Sequence, residues 1–223
     1  IEQCRTFSSN FPTNLKIDLL CASPIRRTIQ TAQHCFSGHL RHTSGKILLL
    51  PYAQEVGDDP SDTGSPYHVL QDEFGDVIDV SLVEENWNSN DGIYDSSCEV
   101  LHERAKQLRR WLRERPEKEI AICGHSVFWH FFTDDVDEEG MKTGENWENT
   151  EWRCYRFAPG PDADASIVID EKMEMVRRIK RGQIDRRVDF GKKYDLLTFN
   201  CSWCSEDQED RHFLSKSVAQ EAE

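Results

Sequence analysis

No apolar run in the chain approaches the roughly 20 residues that a membrane-spanning helix requires. The N-terminal residues also lack the charged-then-apolar pattern of a secretory leader. Those absences leave a soluble, cytoplasmic protein as the expectation. Positive charge is scarce as well: 27 Lys and Arg stand against 41 Asp and Glu, a formal net charge of −14. A surface of that sign repels polyanions, so neither nucleic acid nor an anionic membrane is an expected partner. A small phosphate ester remains admissible, because a local pocket can be positive on a negative protein. No internal repeat is visible, and 223 residues suffice for one compact domain with appendages but not for two full domains. The eight cysteines have no metal-site spacing, and most read as buried free thiols. Cys201 and Cys204 form a tight pair, but no second pair completes a zinc site, so no metal or other cofactor is expected.

What is present is an alternation of short apolar runs and amphipathic stretches. Ile1 to Phe11 has Cys4, Phe7 and Phe11 at helical spacing before Pro12 breaks it. Ile17 to Ala22 reads as a buried strand entering the turn Ser23-Pro24, and Ile25 to Phe36 as the following helix, with Ser23 available as N-cap. Ile47 to Leu50 is a second strand, leading to Glu55 and a loop from Gly57 to Pro66 dense in Gly, Asp, Pro and Ser. Helix returns around Tyr67 to Phe74 and strongly from Cys98 to Arg115, where Pro116 stops it. Glu119 to Cys123 is a third strand, followed by Gly124-His125-Ser126 and an apolar helix to Phe132. Strand, turn and helix three times over predict an α/β fold with a largely parallel sheet. Residues 1–170 form the expected domain. Residues 171–223 read as a polar, partly disordered tail, in which Arg177 to Arg181 is either a solvated helix face or a nucleic-acid contact.

In parallel sheets ligands bind beyond the carboxyl ends of the strands, and Arg27, Glu55 and His125 all follow such ends. Arg26 and Arg27 stand in the first turn of a helix, where backbone N–H groups already favour an anion and a guanidinium offers a planar, two-pronged partner for phosphate. A pair of solvent-exposed arginines is the alternative. His125 follows a glycine that lets the backbone turn, and its imidazole can serve a phosphoryl group or simply cap the strand. Glu55 can act as general acid if a dry pocket raises its pKa; otherwise it is one more solvated carboxylate.

Taken in order, these segments resemble the histidine-phosphatase superfamily, and closely its fungal-type branch of phosphoglycerate mutase family proteins. The carrying residues are Ile17 to Thr28, Gln54-Glu55-Val56 with Asp62-Thr63-Gly64-Ser65, Arg115 to Ile120, Gly124-His125-Ser126 and Trp147 to Phe157. The resemblance implies a three-layer αβα sandwich and phosphatase or phosphomutase chemistry on small phosphate monoesters through a phosphohistidine. It implies that Arg27 binds the transferred phosphoryl group while Arg26 points elsewhere, that His125 is the second catalytic histidine, and that Glu55 is proton donor and acceptor. The nucleophile of that superfamily lies in an Arg-His-Gly motif at the end of the first, central strand, and no such tripeptide occurs here. With Ile1 in place of Met, the chain reads as N-terminally incomplete, short of that strand and without an assigned nucleophile. A sheet missing a middle strand exposes two edges, so weak folding is the physical expectation. A non-catalytic phosphate-binding descendant is the alternative.

Overall fold

The computed structural model describes residues 1–12, 15–38, 40 and 45–180, together with the backbone of 212–217. The Cys201–Cys204 pair and most of the polar tail lie outside the described residues. The elements are α1 (Glu2–Asn10), β1 (Leu19–Ala22), α2 (Arg26–Cys35), β2 (Ile47–Leu49), α3 (Tyr67–Phe74), β3 (Ile78–Asp79), α4 (Cys98–Arg113), β4 (Glu119–Gly124), α5 (Ser126–Phe132), β5 (Trp152–Phe157), β6 (Ile167–Ile169), α6 (Glu171–Lys180) and β7 (His212–Ser217).

Among the described residues the strands form one seven-stranded sheet in the order β3-β2-β1-β4-β7-β5-β6. Strands β3, β2, β1 and β4 are all parallel, and β7 continues parallel to β4. β5 runs antiparallel to both β7 and β6. Period-two alternation sends Leu20, Ala22, Ala121, Cys123, Trp152 and Cys154 to one face. There they pack beneath α1, α2, α3 and α6, with Phe7, Phe11 and Phe36 stacked edge to edge. Cys21, Ile120, Ile122 and Tyr155 face the other side, against the apolar stripes of α4 and α5. The result is the three-layer αβα sandwich with a mostly parallel sheet that the sequence predicts. Buried free thiols at Cys4, Cys21, Cys35, Cys123 and Cys154 agree with the reading of the cysteines. Among the described residues, no helix is long and apolar enough to cross a membrane.

Two local readings change. α2 begins at Arg26 with Ile25 at its cap position and no side-chain cap bond, so Ser23 is not the N-cap. Ser23 lies ahead of Pro24 and spends its hydroxyl on another partner, described below. In α6, Arg177 does not lie on a solvated face: it is 3% exposed and bonds Glu151 at 2.9 Å and Glu174 at 2.5 Å. α6 docks Met173 and Arg177 against the body, and β7 sits inside the sheet, held by ladders on both flanks.

Candidate functional site

Three parallel strands end together. Ser23 N–H donates to the Cys123 carbonyl at 2.8 Å and Leu50 N–H to the Ala22 carbonyl at 2.8 Å, tying the carboxyl ends of β4, β1 and β2. Beyond β1 the chain turns into α2 and presents Arg27. After β2, a 3₁₀ turn at Pro51–Ala53 leads to Glu55, and β4 delivers His125. Gly124 is required where it stands, since a Cβ there would strike the buried Trp129 ring.

The three residues singled out from the sequence meet at this edge. Arg27 Nη2 lies 2.9 Å from His125 Nδ1 and 4.0 Å from Glu55 Oε2. Glu55 Oε2 is 3.8 Å from His125 Nδ1. His125 Nε2 is 2.9 Å from Ser23 Oγ, which is where the Ser23 hydroxyl goes. An arginine donates only, so Nδ1 accepts from Arg27 and the proton resides on Nε2, which donates to Ser23. Arg26 turns away to Glu73 and Ser65, each at 2.5 Å.

Burial sets the protonation states. His125 is fully buried, and desolvation followed by the charges of Arg27 and Arg104 holds its pKa well below the usual imidazole value. It is neutral at pH 7. Glu55 is 9% exposed, and desolvation, reinforced by Asp62, raises its carboxyl to about 7. The Val56 N–H and Arg27 oppose that rise without cancelling it. A carboxyl poised there can give and take a proton near neutrality.

The loop that follows Glu55 closes over Arg27. Arg27 Nη1 donates to the Ser61 carbonyl at 2.5 Å and Nη2 to Asp62 Oδ1 at 3.0 Å. Behind the loop, Trp87 donates from its indole to the Ser65 carbonyl and Asn88 bonds the Gly64 carbonyl at 2.7 Å. Gly64 is again obligatory, because a Cβ would enter the Trp87 ring. A cleft of about 900 Å³ reaches this edge, lined in part by Arg27, Ser61, Gln30, His34, Asn149 and Thr150. His125 and Glu55 lie behind Arg27 and do not line it.

Sequence reasoning missed Arg104. It is fully buried on α4, its Nη2 donates to the Gln54 carbonyl at 2.9 Å, and its guanidinium lies 4.6 Å over the Phe128 ring. Among the described residues, its Nε and Nη1, like Arg27 Nε, are buried donors without a hydrogen-bond partner. Burial brings its pKa down to about 10, so it keeps its charge. The signal was positional: Arg104 interrupts the stripe Leu101, Ala105, Leu108 and Leu112 on the face that packs inward. The edge therefore holds two guanidiniums with spare donors, a neutral imidazole and a carboxyl titrating near 7. That combination suits an oxyanion. Among the described residues, no group of three or more His, Cys, Asp or Glu is placed to hold a metal ion.

No family model matches the chain. It is similar to a protein of Schizosaccharomyces pombe named "Probable phosphatase", with 25% identity over 114 residues, 51% of this chain and 53% of that protein. A "Phosphoglycerate mutase-like protein" of Arabidopsis thaliana is 29% identical over 143 residues, 52% of each. A second from the same plant, "Phosphoglycerate mutase-like protein 1", is 29% identical over 142 residues, 51% of this chain and 49% of that protein. The chain spans about half the length of the curated relatives it matches.

Proposed function

We propose, on the premise that these similarities support a place in the phosphoglycerate-mutase-like histidine-phosphatase superfamily, that the Arg27–His125–Glu55 edge serves phosphoryl transfer on small phosphate monoesters. One observation carries the reading: a guanidinium, a neutral imidazole and a carboxyl raised to about 7 converge within 4.0 Å at the ends of parallel strands. Arg27, which lines the cleft, binds the phosphoryl oxygens in exchange for its contacts with Ser61 and Asp62. His125 Nε2–H is an uncharged donor for a developing charge once Ser23 releases it. Protonated Glu55 hands its proton to the leaving alkoxide and recovers one from water. The accepting nucleophile is assigned to no residue of this chain, which holds no Arg-His-Gly segment.

Equilibrium binding of inorganic phosphate tests the site. Arg27→Ala should weaken it about 100-fold, from the loss of charge-assisted bonds worth about 3 kcal/mol. Equal affinity of variant and parent overturns the reading. A second reading, a phosphate-binding protein without turnover, is favoured by the complete enclosure of His125. Release of inorganic phosphate from a labelled monoester separates the two, since only transfer chemistry produces it.

A further inference from the structure

The segment Asp62-Thr63-Gly64-Ser65, which carries part of the sequence resemblance, is a firmly built loop. The Asp62 and Thr63 N–H groups both donate to the Asp59 carbonyl, at 2.8 and 2.9 Å, while the Gly64 and Ser65 carbonyls are held from behind by Asn88 and Trp87. Backbone on both sides of Asp62 is thereby fixed, and the side-chain torsions of Asp62 are what remains to turn.

What this loop presents to Arg27 imitates a ligand. The Ser61 carbonyl accepts from Nη1 and Asp62 Oδ1 accepts from Nη2 at 3.0 Å, so two oxygens from adjacent residues sit on the two prongs of the fork. A phosphate held by both prongs places its oxygens on the same two nitrogens. The pair is also unlike a surface ion pair, since the side chains of Arg27 and Asp62 are only 20% and 9% exposed. Arg27 and Ser61 line the cleft, so an incoming anion meets a guanidinium that already carries a carboxylate.

We propose that Asp62 is an internal competitor for the phosphoryl site: it holds the Arg27 fork while the site is empty, yields it to a phosphate oxyanion, and retakes it to expel inorganic phosphate after turnover. The inference rests on the phosphoryl-transfer reading and adds to it a positioning residue that acts through Arg27. Being tethered, Asp62 returns to the fork without the loss of translational freedom that a free anion meets at every encounter. Its presence lowers anion affinity and so favours product release.

The test is calorimetric titration of the full chain with sulfate at about pH 6, where Glu55, with a pKa of about 7, keeps its proton. Asp62→Asn preserves the shape of the side chain and removes its charge, and should bind sulfate about tenfold tighter or more, as expected from one charge-assisted bond no longer in competition. Loss of a merely structural residue weakens binding instead. Asp58→Asn, the same change of charge at an exposed position of the loop, should stay within about twofold of the parent. Adding Arg27→Ala should erase the gain from Asp62→Asn. Affinity of Asp62→Asn at or below that of the parent overturns the proposal, as does an equal gain from Asp58→Asn or a gain that survives Arg27→Ala. If neither parent nor Asp62→Asn binds sulfate, the phosphoryl-transfer reading falls with it. Should Asp62→Asn not fold, the parent decides: saturating sulfate should move the Asp62 carboxyl resonance in a carbon NMR spectrum, and an unmoved resonance overturns the proposal.

Discussion

Glu55 and His125 pull stability in opposite directions with pH. A carboxyl raised from 4.5 to about 7 binds its proton more tightly in the folded chain, so its contribution is full below about 4.5 and is lost as pH rises through about 7. A histidine depressed below its usual value does the reverse, contributing above about 6.5 and losing that contribution as pH falls. Glu55→Gln should therefore gain on the parent protein in melting temperature between pH 5 and pH 8 (about the span of the carboxyl shift), and parallel melting curves would count against a buried Glu55. Anion affinity carries the same signature: sulfate, whose charge is constant across this range, should bind more weakly as pH passes about 7 and Glu55 ionises 4.0 Å from Arg27. Arg104→Met should raise the His125 pKa, read by NMR titration, while leaving thermal stability within about 1–2 kcal/mol, since an apolar side chain relieves two orphaned donors. Arg27, Glu55 and His125 were legible because each follows a strand end. Arg104 was not, because its partners are a carbonyl from Gln54 and a ring from Phe128, and neither leaves a local trace in sequence.

At the scale of elements, close approach sets the tolerance of each turn. Gly124→Ala should cost about 1–3 kcal/mol, measured by denaturant unfolding, because the Trp129 ring occupies the space of the new methyl. α6 is held by charge in a buried setting: Glu151 accepts from Arg153 at 2.8 Å and from Arg177 at 2.9 Å, and Arg153 lies 4.0 Å over Trp147. Arg177→Met should destabilise by about 3–5 kcal/mol, the cost of leaving Glu151 half-paired. The helices α1 to α5 and the strands β1, β2 and β4 followed from periodicity, since long apolar stripes and short apolar runs are strong local signals, whereas α6 fell in the stretch read as a polar tail. β3 is two residues long, and β6 exposes its side chains, so neither carries a pattern of its own. β7 was hidden for a different reason: its place depends on two flanking ladders supplied by residues about 90 and about 60 positions away.

At the scale of the molecule, a net charge of −14 surrounds an edge that gathers Arg27 and Arg104. Mutual repulsion of surface carboxylates is screened by salt, so the melting temperature should rise from low ionic strength to about 0.15 M. Association with a small dianion should slow less than bulk charge suggests, since Arg27 lines the cleft. The position of β7 has a consequence in time. During synthesis β4 emerges well before its neighbour, and at about 5–20 residues per second the ribosome needs several seconds more to deliver residues 212–217. Through that interval a nascent chain carries a finished half-sheet with one open flank, a natural substrate for chaperones that shield unpaired strands.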